Sequence, residues 1–396
     1  MIDTFTIRQV ISDELFLYLK KIKFFSYLPR LRKKEEMGDS FPGLAKVSYK
    51  DCKNLNGNIY LDITIKAENL NKYKDNNKLS IYNTEYYKPL ISTFNQAIER
   101  YYLLCDLNTL KDIPTPEDIK KILSFDNYYF KRVDYCFQFE DCIDQKQYIK
   151  LFHLGDMQQQ GNPNFDYYKE NEELPEGSFY AYGNGYRINY YNKHNQLINK
   201  KATQEEIDQA KNCMRLEIQC DLKKIDKIKK DYKKEVTKGI SKLYKDDNSV
   251  TAQELKNMQN YELENIPSDI EILFSVSVAK KIILNTYTTI CRKGDYYKKK
   301  KVEKIIKDSA NKSRMPKMLE LLNLVNPGNG KKRAIRDIRE LIKKNKIKTN
   351  IKPDEVTDIL KDFDKLNINV VCLEENYKYD SLPNLCNEIE DYFFHF

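Results

Sequence analysis

Hydrophobic and polar residues alternate with a period of two along several short runs in the first half of the chain. In the second half the spacing turns helical. Successive side chains of a strand point to opposite faces, so the alternation predicts strands at DTFTIRQV near the N-terminus, LAKVSYK (44–50) and GNIYLDITIKA (57–67). A helical stretch reaching Tyr27 follows the first of these. Leu90, Phe94, Ile98 and Tyr101 recur at steps of three and four and predict a helix from Glu85 to Leu104. In DIPTPEDIKKIL (112–123), Thr115 suits an N-cap, Pro116 the first helical position, and Glu117 and Asp118 the first turn.

A strand at YYFKRVDYCFQFE (128–140) and a helix from Gln145 to Leu154 come next. The loop GNPNF (161–165) and the acidic run KENEELPEG (169–177) lead to SFYAY, the turn GNG (183–185) and the strand YRINYYNKH. A further strand is MRLEIQCDL (214–222). This order, strand–helix–hairpin–strand, has the same rhythm as the earlier segment. The expected fold class is α+β: two related halves forming one antiparallel sheet with helices packed on one face. From Lys223 onward lysine-rich helical patterns dominate, with a turn at NPGNG (326–330), and INVVCLEENYKYDSLPNLCNEI adds a strand and a docked tail. The expected division is 1–235 for the sheet and 236–396 for a mostly helical, basic domain.

Strand parity sorts the chemistry. In the run at 128–140, Val133, Tyr135, Phe137 and Phe139 share an apolar face, opposite Arg132, Asp134, Cys136, Gln138 and Glu140. In MRLEIQCDL, Met214, Leu216, Ile218 and Cys220 oppose Arg215, Glu217, Gln219 and Asp221. Both strands thus carry an Arg-x-acid pattern inside an apolar run, and the plain alternative is a solvated outer face. In YRINYYNK, Tyr186, Ile188 and Tyr190 fall together, opposite Arg187, Asn189, Tyr191 and Lys193. Parity therefore separates Tyr191, one of 30 tyrosines, from its core neighbour Tyr190.

A phenol titrates near 10 and is a weak nucleophile at neutral pH without a base or a cation. Tyr191 among carboxylates and a lysine suits phosphodiester transesterification. Asp134 and Glu217 are the expected ligands of Mg2+ or Mn2+, which would polarise the scissile phosphate, and Lys193 is expected to offset transition-state charge. Glu140, Gln138 and His194 are candidates for a third ligand.

Composition narrows this picture. The only histidines are His153, His194 and His395, and the nine cysteines contain no CxxC pair, so a zinc site is excluded and a carboxylate-bound hard cation is favoured. With 41% hydrophobic and 32% charged residues the chain is globular rather than disordered. No run approaches the ~20 apolar residues of a membrane span, and MIDTFTIRQVISDEL lacks the pattern of a signal peptide. No membrane partner and a cytoplasmic location are expected. The net charge of +9 points to a polyanionic partner. Abundant Lys, Asn, Ile and Tyr with no Trp is also what an AT-rich gene encodes, so the placement of the cations matters more than their sum.

Four segments, in order, resemble the replication initiators of filamentous phages, the gene II protein family (phage replication protein CRI). MIDTFTIR resembles that family's start, KRVDYCF its Arg-hydrophobic-Asp strand, YYNKHNQL the segment holding its active tyrosine, and MRLEI its Arg-x-Glu strand. The trans-acting plasmid Rep initiators of rolling-circle replication are similar at the same places. The resemblance covers about residues 1–225. The His-hydrophobic-His motif of the commoner nicking relaxases is absent. The resemblance implies a DNA endonuclease and strand transferase that nicks a replication origin, is held through a 5′-phosphotyrosine, and leaves a 3′ hydroxyl to prime synthesis. It implies origin DNA, single- and double-stranded, as partner together with a host helicase, and a homodimer is compatible with it. Residues 1–235 would then be the nicking domain and 236–396 the DNA-binding or accessory domain.

Expected DNA contacts are the sheet arginines Arg132, Arg187 and Arg215, and the helix in GKKRAIRDIRELIKKNKIK (330–348), where Lys331, Arg333, Arg336, Arg339 and Lys343 recur at helical steps. DYYKKKKVEK (295–304) and LPRLRKK (28–34) are further basic clusters. Two other readings compete. A non-enzymatic plasmid initiator or repressor with winged-helix domains would ignore chelators and form no adduct. An RNA-binding module would show stacking aromatics on the polar sheet face, where parity places mostly charged groups.

Overall fold

A computed structural model describes residues 2–11, 13, 16–17, 44–52, 58–66, 128–142, 144–157, 178–243, 251–264, 268–328 and 332–394. The expected helices at 85–104 and 115–123, the basic patch at 28–36, the stretch 161–177 and Lys331 lie outside these residues.

The alternating runs form the strands β1 (Ile2–Ile11), β2 (Leu44–Cys52), β3 (Asn58–Lys66), β4 (Tyr129–Phe139), β5 (Ser178–Gly183), β6 (Tyr186–Asn192) and β7 (Met214–Asp221). They hydrogen-bond in the order β2-β3-β1-β4-β7-β6-β5. The pairs β1–β3, β1–β4, β2–β3 and β5–β6 are antiparallel, with Arg8 opposite Asp62 and Thr6 opposite both Thr64 and Arg132. The helices between and after these strands are α1 (Gln145–His153), α2 (Lys193–Asn199), α3 (Gln204–Gln209), α4 (Leu222–Leu243), α5 (Ala252–Glu264), α6 (Asp269–Leu273) and α7 (Val276–Cys291). Beyond these come α8 (Lys299–Ser309), α9 (Met315–Val325), α10 (Ile335–Lys343), α11 (Glu355–Lys365) and α12 (Cys386–Phe394), with a two-strand pairing of β8 (Tyr296–Tyr297) and β9 (Ser381–Leu382). The class is mixed α and β, an antiparallel sheet followed by helices. Among the described residues no helix is long and apolar enough to cross a membrane.

Two compact units share the chain, and each draws on two stretches of it: Met1–Tyr135 with Gln219–Ala279, and Cys136–Ile218 with Lys280–Phe396. The expected division at 235/236 falls inside α4, which starts at Leu222 directly after β7 ends at Asp221. In the first unit Phe5, Phe130 and Phe274 pack ring against ring, and the buried Tyr135 hydroxyl donates to the Leu273 carbonyl at 2.8 Å. In the second, Phe152 of α1 stacks on Tyr190 at 3.9 Å, edged by Phe139, Phe179 and Tyr287. Residues Asn184 and Gly185 turn the β5–β6 hairpin, Gly185 at φ +83° in the left-handed region that glycine tolerates. That turn fixes the register, and with it the faces of Tyr190 and Tyr191.

Candidate nucleophile site on the second unit

Period-two alternation along β6 sends Ile188 and Tyr190 into the aromatic core, 2% and 0% exposed. Tyr191 takes the opposite face and is itself 5% exposed. Its hydroxyl donates to Glu217 Oε1 at 2.5 Å. Arg215, two residues before Glu217 on the same face of β7, places Nε 3.2 Å from that oxygen, and its Nη2 donates to Cys136 Sγ at 3.3 Å. The result is a chain of contacts, Tyr191–Glu217–Arg215–Cys136, in which Glu217 alone is half-buried and the other three are buried. A carboxylate this enclosed needs partners, and here a phenol and a guanidinium supply them.

Burial pushes the Tyr191 phenol far above its ordinary range, and the Glu217 charge adds to the shift, while Arg215 and a hydrogen bond from Gln196 pull the other way. The group is therefore a neutral phenol at physiological pH. Its proton already points at a carboxylate.

The strand ends at Asn192 for a local reason. Asn192 is an extended N-cap whose Oδ1 accepts the Asn195 backbone N–H at 3.0 Å, and the chain enters α2. Lys193 thereby leaves the regular strand. Its backbone N–H still bonds the Cys213 carbonyl at 2.9 Å, but its Nζ donates to Gln196 Oε1 at 2.9 Å. Lys193 thus joins the site through Gln196, a residue that parity did not select. The only sequence signal for Gln196 was the capping Asn192, which turns the next residues back over the strand end.

Asp134 is 2% exposed and is gripped by its own strand neighbour Arg132, Nε to Oδ1 at 2.7 Å and Nη2 to Oδ2 at 2.5 Å. The expected Mg2+ or Mn2+ can be tested against these donors. Each carboxylate faces the arginine two residues before it, and Glu217 also receives the phenol. Among the described residues no three His, Cys, Asp or Glu side chains converge as a metal would require. As arranged, the two carboxylates are engaged by arginines rather than held open for a divalent cation. Of the third-ligand candidates, Gln138 donates from Nε2 to Cys213 Sγ at 3.8 Å, Glu140 is exposed just beyond β4, and His194 sits half-buried in the first turn of α2.

No family model and no curated protein matches this chain.

The expected DNA contacts scatter. Arg187 is exposed over the Tyr182 ring at 5.4 Å. Arg215 is buried, as part of the site. On α10, Arg339 makes a bidentate pair with Asp156, at 2.7 and 2.6 Å, and reaches Thr357 Oγ1. Arg336 Nε pairs with Asp337 at 3.3 Å and is 13% exposed. Both guanidiniums expected on an outer, DNA-facing helix surface thus serve contacts inside the unit, because the acids that neutralise them pack beside them. Arg333 is half-buried, its backbone N–H bonded to the Val325 carbonyl. A cationic face outside the expected DNA contacts lies on α4, where the exposed Lys223, Lys227, Lys230, Lys234 and Lys238 recur at helical steps, with Lys224 half-buried among them.

Proposed function

We propose that this protein is a DNA-nicking and strand-transfer enzyme that uses Tyr191 as nucleophile and Glu217 as its general base. The observation that carries the reading is the 2.5 Å hydrogen bond from the Tyr191 hydroxyl to the Glu217 carboxylate. A buried phenol cannot ionise in advance, so its proton must leave as the new bond forms, and a carboxylate already accepting that proton is suited to take it. Tyr191 Oη attacks the phosphorus, Glu217 takes the phenolic proton, and the bond from phosphorus to the 3′ oxygen breaks. The 3′ oxygen takes a proton from solvent and leaves as a hydroxyl, and the DNA stays attached as a 5′-phosphotyrosine. Reversal of these steps rejoins a strand. Arg215 holds Glu217 in place and partly offsets its charge, which would otherwise repel an approaching phosphate.

The four segments similar to the filamentous-phage and trans-acting plasmid initiators support the finer reading, a rolling-circle replication initiator acting at an origin in the cytoplasm, with a host helicase as partner. The direct test is a denaturation-resistant adduct with DNA, formed by the wild type and absent from Tyr191→Phe. Chelator-treated protein, alone and with Mg2+ or Mn2+ restored, separates a metal-dependent reaction from one that Glu217 and Tyr191 complete by themselves. A chain that binds DNA, forms no adduct and ignores chelators is instead a non-enzymatic initiator or repressor.

A further inference from the structure

The first unit repeats the arrangement around Tyr191 with different residues. Strand β3 reads Ile59-Tyr60-Leu61-Asp62-Ile63, and β7 reads Met214-Arg215-Leu216-Glu217-Ile218. Ile59 and Leu61 are buried at 1%, as Met214 and Leu216 are at 0%, and the acid follows at the same step. Strand β2 reads Val47-Ser48-Tyr49-Lys50, and β6 reads Ile188-Asn189-Tyr190-Tyr191. The registers agree with this match. Lys50 stands opposite Tyr60. The bond from Lys193 N–H to the Cys213 carbonyl sets Tyr191, two residues back, opposite Arg215. The superposition that lays Asp62 on Glu217 therefore lays Tyr60 on Arg215 and Lys50 on Tyr191. Strand order concurs, since β3 lies between β1 and β2 as β7 lies between β4 and β6.

The chemistry at the two places differs. Lys50 stands at the register position of the nucleophile, so the first copy has no phenol there. Asp62 accepts not a tyrosine but Arg8, at 2.6 and 2.8 Å, and Lys131 Nζ at 2.6 Å. Burial alone would raise the Asp62 carboxyl, but these bonds outweigh it and hold the group below its ordinary range. These three groups together, two cations and one carboxylate, carry one positive charge in excess. Lys131 is the extra residue of a bulge in β4, between Phe130 opposite Ile7 and Arg132 opposite Thr6, and its side chain is 40% exposed. The Arg8 guanidinium lies 4.7 Å from the Tyr60 ring centroid, and Thr6 and Thr64 pair their hydroxyls at 3.0 Å alongside.

We propose that the first unit is a non-cleaving copy of the nicking site and seats a phosphodiester of single-stranded DNA at Lys131 and Arg8. The choice of DNA rests on the function proposed for Tyr191; the cationic seat does not. The test uses Tyr191→Phe protein, so that nothing is cut, and a fluorescein-labelled random-sequence single-stranded 20-mer titrated by anisotropy over a range of salt. Adding Lys131→Ala weakens binding several-fold and lowers the log–log salt slope by about 0.7, the loss of one phosphate contact. Lys131→Arg restores both. Lys361→Ala, which removes a 60% exposed lysine of α11, leaves the slope unchanged. An unchanged affinity and slope in Lys131→Ala overturns the proposal, as does an equal loss in Lys361→Ala. If Lys131→Ala loses binding while the wild type forms no adduct, the seat stands and the nicking function falls.

Discussion

At the scale of the residue, the account turns on two groups whose protons are held in unusual places. Tyr191 keeps its proton because burial and Glu217 disfavour the phenolate, so removing the acceptor should cost rate rather than fold. Glu217→Gln is expected to lower adduct formation by about 100- to 10,000-fold, the range for loss of a positioned general base. Single-turnover assays with unchanged circular dichroism check this. Glu388 of α12 is the second group. Burial pushes its carboxyl up to about 7, the Glu140 and Asp141 charges add to that, and a backbone hydrogen bond from Glu140 opposes it. A raised carboxyl binds its proton more tightly in the folded state, so its contribution is full below the ordinary carboxylate range and is lost as pH rises through about 7. Glu388→Gln cannot suffer that loss. Its Tm should gain on the wild type by about 2 °C or more between pH 5 and pH 8, and a flat difference across that range would contradict the assignment. The facing of Tyr191 was legible because strand parity needs only local sequence. The roles of Gln196 and Asp156 were not, because one depends on where a cap ends the strand and the other on a pairing across 183 positions of chain.

At the scale of the element, the alternating runs predicted β4, β6 and β7 within a residue or two, since apolar alternation bounded by turn residues fixes both existence and face. The basic helix α10 was predicted as an element, but two of the arginines expected on its outer face, Arg336 and Arg339, pair with Asp337 and Asp156. Helical spacing groups its arginines, yet it cannot show that carboxylates wait beside them. Arg339→Ala strips two charge-assisted bonds from Asp156, whose side chain is 10% exposed. It should destabilise the protein by about 2–3 kcal/mol, seen as a lower urea midpoint with unchanged slope, and leave oligonucleotide affinity intact. An affinity loss without a stability loss would return that helix to the DNA. Arg215 and Asp134 show the same limit from the other side. The polar sheet face that parity assigned is charged as expected, but Arg215 and Asp134 on it are buried and paired with their strand neighbours rather than solvated.

At the scale of the whole molecule, the rhythm of strands that suggested two related halves has a counterpart in strand order, where β2-β3-β1 answers β6-β7-β4. Their sequences diverge where chemistry would sit, Tyr191 against Lys50 and Arg215 against Tyr60, while the buried aliphatic positions keep their character. The division into units was less legible. A single boundary drawn at 235/236 cannot reveal that β4 and β7 each contribute to both units. The central claim, that Tyr191 forms a covalent bond with DNA, has a direct measurement. The protein is incubated with overlapping single-stranded 40-mers that tile the DNA replicon encoding it, each radiolabelled at its 3′ end, the end that a 5′-phosphotyrosine retains, with Mn2+ present, and is then boiled in detergent and resolved by electrophoresis. The account expects label migrating with the wild-type chain, released by nuclease and absent from Tyr191→Phe. A wild type that carries no label, or a Tyr191→Phe variant that carries as much, would contradict it.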